Sequence, residues 1–323
     1  LCIFSCLVLA RLGGLRSRLK HTKNNYHNEM AFKRKNSRLY SAALLFIAAG
    51  VLLLALRGFL GPVFSGGVIL PQSFNVGSVS IHYYGLILAL AVLTARFIAL
   101  RRAQQYGLTR ERADEIIFIV ILAGVLGARL YHVASSWPYY LAHPQLIFAI
   151  WRGGLSIYGA LLGGAAALAI IVWRQGWARI KFNNYLNWLT FSFLAGQIMG
   201  RFGNLFNYEA FGAPTNLPWK MFVPAVFRPE QWAGSAYFHP WFLYESLANL
   251  LIFFGLLCWK RGSSRLFLWY ALLYNVVRLL LEFLRVDSTF IGPIRLNAVV
   301  SAILALGALV VLIKFKDRKS EIS

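Results

Sequence analysis

Charge is scarce in this sequence, and negative charge scarcer still: 14% of its 323 residues are charged, with 11 Asp and Glu against 33 Lys and Arg. A soluble domain carries roughly 25% charged residues, so a water-soluble enzyme with one compact core is excluded for the chain as a whole. Disorder and collagen are excluded by a hydrophobic fraction of 59%. Cysteine is nearly absent. Cys2, Cys6 and Cys258 form no CxxC pair and have no histidine at ligand spacing, which excludes a disulfide scaffold and a zinc site and leaves apolar packing as their role. No metal and no cofactor are expected. What the chain does have is apolar runs, and they predict an all-α, polytopic integral membrane protein.

About 20 apolar residues are needed to cross a bilayer. Stretches of that kind fall near residues 41–57, 83–100, 116–136, 154–173, 186–206, 241–259, 266–284 and 294–313, giving eight predicted helices. The first follows a basic run, as a signal peptide would, but it lacks a clean A-x-A site and is read as a retained helix. Residues 1–40 carry nine Lys and Arg against the single acid Glu29 and read as a solvated tail. The sequence opens on Leu, and Met30 precedes a second basic run. Translation is therefore expected to start at Met30, with residues 1–29 a gene-model extension.

The remaining basic residues alternate by loop. One set holds Arg101, Arg102, Arg110, Arg112, Arg174, Arg179, Lys181, Lys260, Arg261, Arg265, Lys314, Lys316, Arg318 and Lys319, on the same side as the tail. The opposite loops hold only Arg152, Lys220, Arg228 and Arg285. The positive-inside rule places both termini in the cytoplasm. The formal charge of +22 is thus mostly topological, and no nucleic-acid partner is needed to explain it.

Arg129, Arg201 and Arg278 fall inside predicted spans, where a charge costs at least a few kcal/mol and marks a cavity or a partner. Arg278, Glu282 and Arg285 share one helix face. Glu282 alone neutralises one of the two arginines; the rival reading is an internal ion pair that locks packing. Arg129 and His132 pair at i, i+3, and Arg129 either binds substrate or holds a backbone carbonyl, Glu209 or Glu245. The densest segment, GQIMGRFGNLFNYEAFG (196–212), spaces Arg201, Asn204 and Asn207 to share a face beside Gly200 and Gly203, which suits a pocket for phosphate and hydroxyls. WRGGLSIYGALLGG (151–164) is a second Gly-rich turn, open to anion binding at a helix start or to tight packing. Tyr83 and Trp241 read as aromatic belt. By parity all these groups lie at the outward ends of their helices, a site for an anionic lipid headgroup.

Together with IHYYGL (81–86), GARLYHV (127–133), HPWFLYE (239–245) and RLLLEFLR (278–285), these segments resemble the prolipoprotein diacylglyceryl transferase family over about residues 68–315. The resemblance implies a bacterial inner-membrane enzyme with seven core transmembrane helices, here preceded by an extra one. Residues 1–40 would be a basic tail, 41–67 the extra helix and linker, 68–315 the transferase and 316–323 a basic tail. It also implies a reaction in which the lipobox cysteine of a prolipoprotein attacks the glyceryl carbon of phosphatidylglycerol, releasing glycerol-1-phosphate. Arg201 would match the family's phosphatidylglycerol-binding arginine, with Asn204, Glu209 and Gly212 in the same signature. Arg278 would match its second essential arginine, and Tyr84 the tyrosine of its first span. Tyr158 stands where many members have a histidine. A phenol, with an ordinary pKa of about 10, is a poor general base at neutral pH. That leaves Glu209, His82, His132, His239 or water to activate the thiol. The competing reading, a transporter or flippase for an anionic lipid or solute, predicts internal repeats or paired broken helices, and none is visible.

Overall fold

A computed structural model of the protein describes residues 58–175, 179–259, 265–286, 288 and 290–314. The basic tail with Met30, the helix expected at 41–57, Cys2, Cys6 and the tail 316–323 lie outside the described residues. The chain divides into two units, Leu1–Gly67 and Val68–Ser323. In the first, residues 58–65 are helical. The second contains every element labelled below.

Among the described residues it holds seven long helices: α1 (Tyr83–Arg102), α2 (Arg110–Ser135), α4 (Ile157–Arg174), α5 (Arg179–Asn207), α6 (Trp241–Trp259), α7 (Leu266–Glu282) and α8 (Leu296–Lys314). A short α3 (Trp137–Ala142) follows α2. Each of the seven long helices forms where an apolar run was read, whereas α3 lies in a segment read as a loop, and the helix ends obey local chemistry. Arg101 and Arg102 close α1, where the helix dipole favours cations. Thr109 caps α2 by accepting from Arg112 N at 3.2 Å. Among the described residues three two-stranded hairpins form: β1 (Ser73–Val76) with β2 (Val79–His82) before α1, β3 (Met221–Phe222) with β4 (Tyr237–Phe238) between α5 and α6, and β5 (Phe290–Ile291) with β6 (Ile294–Arg295) between α7 and α8. Gly77 turns the first of these at φ 61°.

Five of the helices are long and apolar enough to cross a membrane: Tyr83–Tyr106, Arg110–Ser135, Ile157–Arg174, Trp241–Cys258 and Leu296–Lys314. On α2 the large side chains Phe118, Leu122, Leu126 and Leu130 recur every four residues, and all are exposed, which is the stripe a lipid-facing helix presents. The helices at the expected spans 186–206 and 266–284 also form, but α5 is polar along much of its length and α7 has only 17 residues. Those two helices carry the site together with α6. Helix α2 packs on α4, α1 on α5, α5 on α6 and α7 on α8.

The α2–α4 contact is very close. A Cβ built on Gly159 would lie 2.2 Å from Gly127 O, and one on Gly163 2.3 Å from Ala123 O, so only glycine lets these backbones touch. One apolar core joins the α1, α2, α4 and α5 ends around Ala103, Ile116, Val172 and Trp188, and Trp188 Nε1 donates to Ala99 O at 2.8 Å. A second, of Phe191, Leu194, Ile252, Leu256, Leu266 and Tyr270, fills the space between α5, α6 and α7. The charged cluster lies beyond it, toward Arg201, Glu245 and Glu282.

Candidate active site

Arg201 on α5, Glu245 on α6 and Arg278 with Glu282 on α7 converge between the three helices. Arg201 Nη2 donates to Glu245 Oε1 at 2.7 Å, and the same oxygen accepts from the Tyr274 hydroxyl at 3.1 Å. Glu245 Oε2 lies 3.9 Å from Arg278 Nη1, which in turn lies 3.0 Å from Glu282 Oε2. Glu245 and Glu282 are both fully buried. A buried carboxylate without partners would be costly there, and each of these two has a guanidinium beside it. The sequence reading counted one acid for Arg278 and Arg285; the structure adds Glu245, shared between Arg201 and Arg278. Arg201 commits one nitrogen to Glu245, and its side chain remains 24% exposed. Tyr274 also hydrogen-bonds the Arg201 side chain, and the N–H groups left over offer a donor edge that suits a phosphate.

Trp241 is not a belt residue. It is fully buried, its Nε1 donates to Leu281 O at 2.6 Å, and its ring carries Arg278 at 4.6 Å, Arg285 at 5.1 Å and Arg201 at 5.5 Å. One indole therefore supports three guanidiniums through cation–π contact.

The rest of the signature divides into separate tasks. Asn204 and Asn207 do not reach toward the guanidinium of Arg201; their Nδ2 atoms donate to Glu209 Oε1 at 2.8 and 3.4 Å. Glu209 sits in a sharp turn after α5, between Tyr208 at φ 51° and Ala210 at φ 54°, a conformation few non-glycine residues adopt. The turn is clamped by Tyr208, whose hydroxyl accepts from Leu70 N at 2.6 Å and whose ring stacks on Phe227. Burial raises the Tyr208 pKa, keeping that hydroxyl protonated. Tyr84, at the start of α1, lies within electrostatic reach of both Glu209 and Arg201. Its ring fills the space a Cβ on Gly203 would need, 2.7 Å away.

Gly212 serves close approach. Its N–H donates to His239 O at 2.9 Å, it bridges to Arg285, and a Cβ there would lie 2.8 Å from both His239 Cβ and Leu284 O. His239 Nδ1 is 3.0 Å from the Tyr244 hydroxyl, which also accepts from Trp219 Nε1 at 2.7 Å. Desolvation lowers the His239 pKa, favouring the neutral ring.

Arg129 takes the carbonyl alternative. Nε donates to Ile147 O at 2.8 Å, Nη1 to Gly153 O at 2.8 Å and Gly154 O at 2.9 Å, and Nη2 to Leu146 O at 2.5 Å. It pins the 146–154 loop, with His132 packed beside it at Gly154, and its hydrogen bonds do not extend to the Arg201–Arg278 cluster. Tyr158, the second residue of α4, does connect to that cluster: its hydroxyl donates to Asn297 Oδ1, and Asn297 Nδ2 donates to Glu282 Oε1 at 3.1 Å. Sequence reasoning passed over Asn297, a lone amide in an apolar run, and gave Glu245 as an outward polar group of the HPWFLYE segment and a possible partner of Arg129, without linking it to Arg201. Among the described residues no three His, Cys, Asp or Glu side chains come together as metal ligands.

A family model described as prolipoprotein diacylglyceryl transferase matches residues 71–314. The chain is 41% identical over 271 residues to a Thermotoga maritima protein named phosphatidylglycerol–prolipoprotein diacylglyceryl transferase, covering 82% of this chain and 92% of that one. It is 39% identical to a protein of the same name from Thermosynechococcus vestitus, covering 73% of this chain and 89% of the relative. A Synechocystis relative, again of that name, is 40% identical over 245 residues, with 73% and 86% covered.

Proposed function

Since the chain belongs to the prolipoprotein diacylglyceryl transferase family, we propose that the cluster between α5, α6 and α7 is where its reaction takes place. The protein is a multi-pass membrane transferase, acting on phosphatidylglycerol and prolipoproteins as its relatives' names state. Those names favour the transferase over the transporter reading. In the proposed step the lipobox cysteine loses its proton, and its sulfur bonds to the glyceryl carbon next to the phosphate. The carbon–oxygen bond to phosphate breaks, and glycerol-1-phosphate leaves with the electron pair.

The observation that carries this reading is the pair of guanidiniums from α5 and α7, locked over Trp241 by a shared buried carboxylate. Charge develops on the phosphate oxygen as it departs, and preorganised cations in a dry site stabilise such charge most. Arg201 grips the phosphate with the N–H groups that Glu245 and Tyr274 leave unused. Arg278, backed by Glu282, stands beside it. Asn204, Asn207, Glu209 and Gly212 shape the rim next to Tyr84. Arg129 contributes indirectly, through the loop it pins. Both termini lie in the cytoplasm and the site opens outward, in keeping with the alternation of basic loops. The basic residues serve this orientation, with no nucleic-acid partner.

The test is reconstitution of the purified protein in vesicles with phosphatidylglycerol and a peptide bearing a lipobox cysteine. Mass spectrometry should find a diacylglyceryl thioether on that cysteine and free glycerol-1-phosphate in equal amounts. A folded protein yielding neither product from several lipid donors would overturn the reading.

A further inference from the structure

Glu282 is held from two sides by the start of α8. Arg295 Nη1 donates to its main-chain carbonyl at 2.6 Å, and Asn297 Nδ2 donates to its carboxylate at 3.1 Å. The far oxygen of that carboxylate faces Arg278 at 3.0 Å. Asn297 thus stands directly behind the ion pair that orients Arg278.

The chemistry of the groups fixes the direction of this chain. Asn297 Nδ2 donates to a carboxylate oxygen of Glu282, so the amide turns its NH2 toward Glu282. That leaves the amide oxygen facing Tyr158, and an oxygen acceptor requires the phenol to donate its proton. The Tyr158 hydroxyl is therefore spent as a donor, and loss of its proton would set a phenolate against the amide oxygen and break the chain. Helix α4 is in no position to relax away, because Gly159, the next residue, is in backbone contact with Gly127 of α2.

Resting on the transferase reading of the site, we propose that Tyr158 and Asn297 are positioning residues. They fix Glu282 and through it Arg278, and the Tyr158 phenol is not the group that takes the proton of the attacking thiol. Tyr158 keeps its place in the site as a strut. The thiol proton is then taken elsewhere, by a side chain off this chain of contacts or by water.

The experiment measures kcat and KM across pH for Tyr158→Phe, Asn297→Ala, their double variant and Asn297→Asp, in vesicles with phosphatidylglycerol and the lipobox peptide. Tyr158→Phe keeps the ring beside Tyr131 and removes only the hydroxyl. Each of the first two variants should lower kcat by about 10- to 100-fold with KM for the peptide unchanged, as slight misplacement of a catalytic cation does. The double variant should fall no lower than the weaker single one, since both break one chain. The pH profile of Tyr158→Phe should keep the wild-type shape. Asn297→Asp sets a second carboxylate against Glu282, and a proton shared between the two restores the link; its activity relative to wild type should climb as pH falls. That response serves as the test even where Tyr158→Phe folds poorly. Wild-type kcat in Tyr158→Phe, losses that multiply in the double variant, loss of a pH limb in Tyr158→Phe, or a pH-independent defect in Asn297→Asp would overturn this proposal alone. An inactive wild-type protein would overturn it together with the transferase reading.

Discussion

Arg201 and Glu245 lie 44 positions apart in the chain and meet at 2.7 Å through Nη2 and Oε1, with the carboxylate fully buried. The pair ties α5 to α6 and leaves Arg278, on α7, facing the other oxygen of the same carboxylate at 3.9 Å. Two cations from different helices are thereby kept close without repelling the bundle apart.

Removing that carboxylate's charge should be felt first as instability. Glu245→Gln leaves Arg201 without its ion pair in a water-poor site, a type of break that costs about 3–5 kcal/mol. Thermal unfolding in detergent, followed by tryptophan fluorescence, should show a clear fall in midpoint. An unchanged midpoint would mean that the carboxylate is not the anchor of the cluster.

Arg201 should matter for both chemistry and folding, since it binds the fully buried Glu245 while part of it faces outward. Arg201→Ala should abolish diacylglyceryl transfer with membrane insertion intact, and it should also lower the unfolding midpoint, because the only guanidinium left to Glu245 is that of Arg278 at 3.9 Å. Arg201→Lys keeps the charge and loses the fork, so it should recover only a small part of the activity. Full activity in Arg201→Lys would show that charge alone suffices.

The glycine contact between α2 and α4 separates neighbours cleanly. A Cβ at Gly159 would meet backbone 2.2 Å away, whereas one at Gly124 would make an ordinary 3.5 Å contact with Ala160 O. Gly159→Ala should therefore destabilise by about 1–3 kcal/mol through overpacking and lower activity with it. Gly124→Ala should be close to neutral. Equal effects in the same unfolding assay would remove the argument from close approach.

Arg129 gives a prediction of a different kind. Its guanidinium serves four carbonyls of the 146–154 loop, which an ammonium with its single nitrogen cannot span. Both Arg129→Ala and Arg129→Lys should make that loop sensitive to limited proteolysis. A loop equally resistant in both variants would place the role of Arg129 elsewhere.

The helices were legible because 20 apolar residues in succession have few other uses, and the polar residues of 196–212 stood out against that background. Arg201, Arg278 and Glu282 could be picked out for the same reason: a charge in an apolar run announces itself. Asn297 could not, because a single amide at a helix start carries little signal until Tyr158 and Glu282 are seen on either side of it. Trp241 was misread on physical grounds. A tryptophan at the end of a span is ordinary interfacial chemistry, and nothing local distinguishes it from one turned inward beneath three arginines drawn from α5, from α7 and from the segment just after α7. Asn204 and Asn207 had the right spacing to share a face with Arg201, but the tight turn at Tyr208–Ala210 brings Glu209 back over them, and its Oε1 accepts from both amides, whereas a guanidinium has no acceptor to offer them.

The indole of Trp241 makes epistasis a built-in property of the site. Arg201, Arg278 and Arg285 all rest on it, so a substitution at any one of them resets the field and the footing of the other two. Alanine scanning of these arginines will return three numbers whose sum exceeds what the cluster contributes, because each loss already includes part of its neighbours'. The converse holds for Trp241: exchanging it for leucine takes away no charge and no hydrogen bond to substrate, yet it should reproduce much of the deficit of losing the cations themselves.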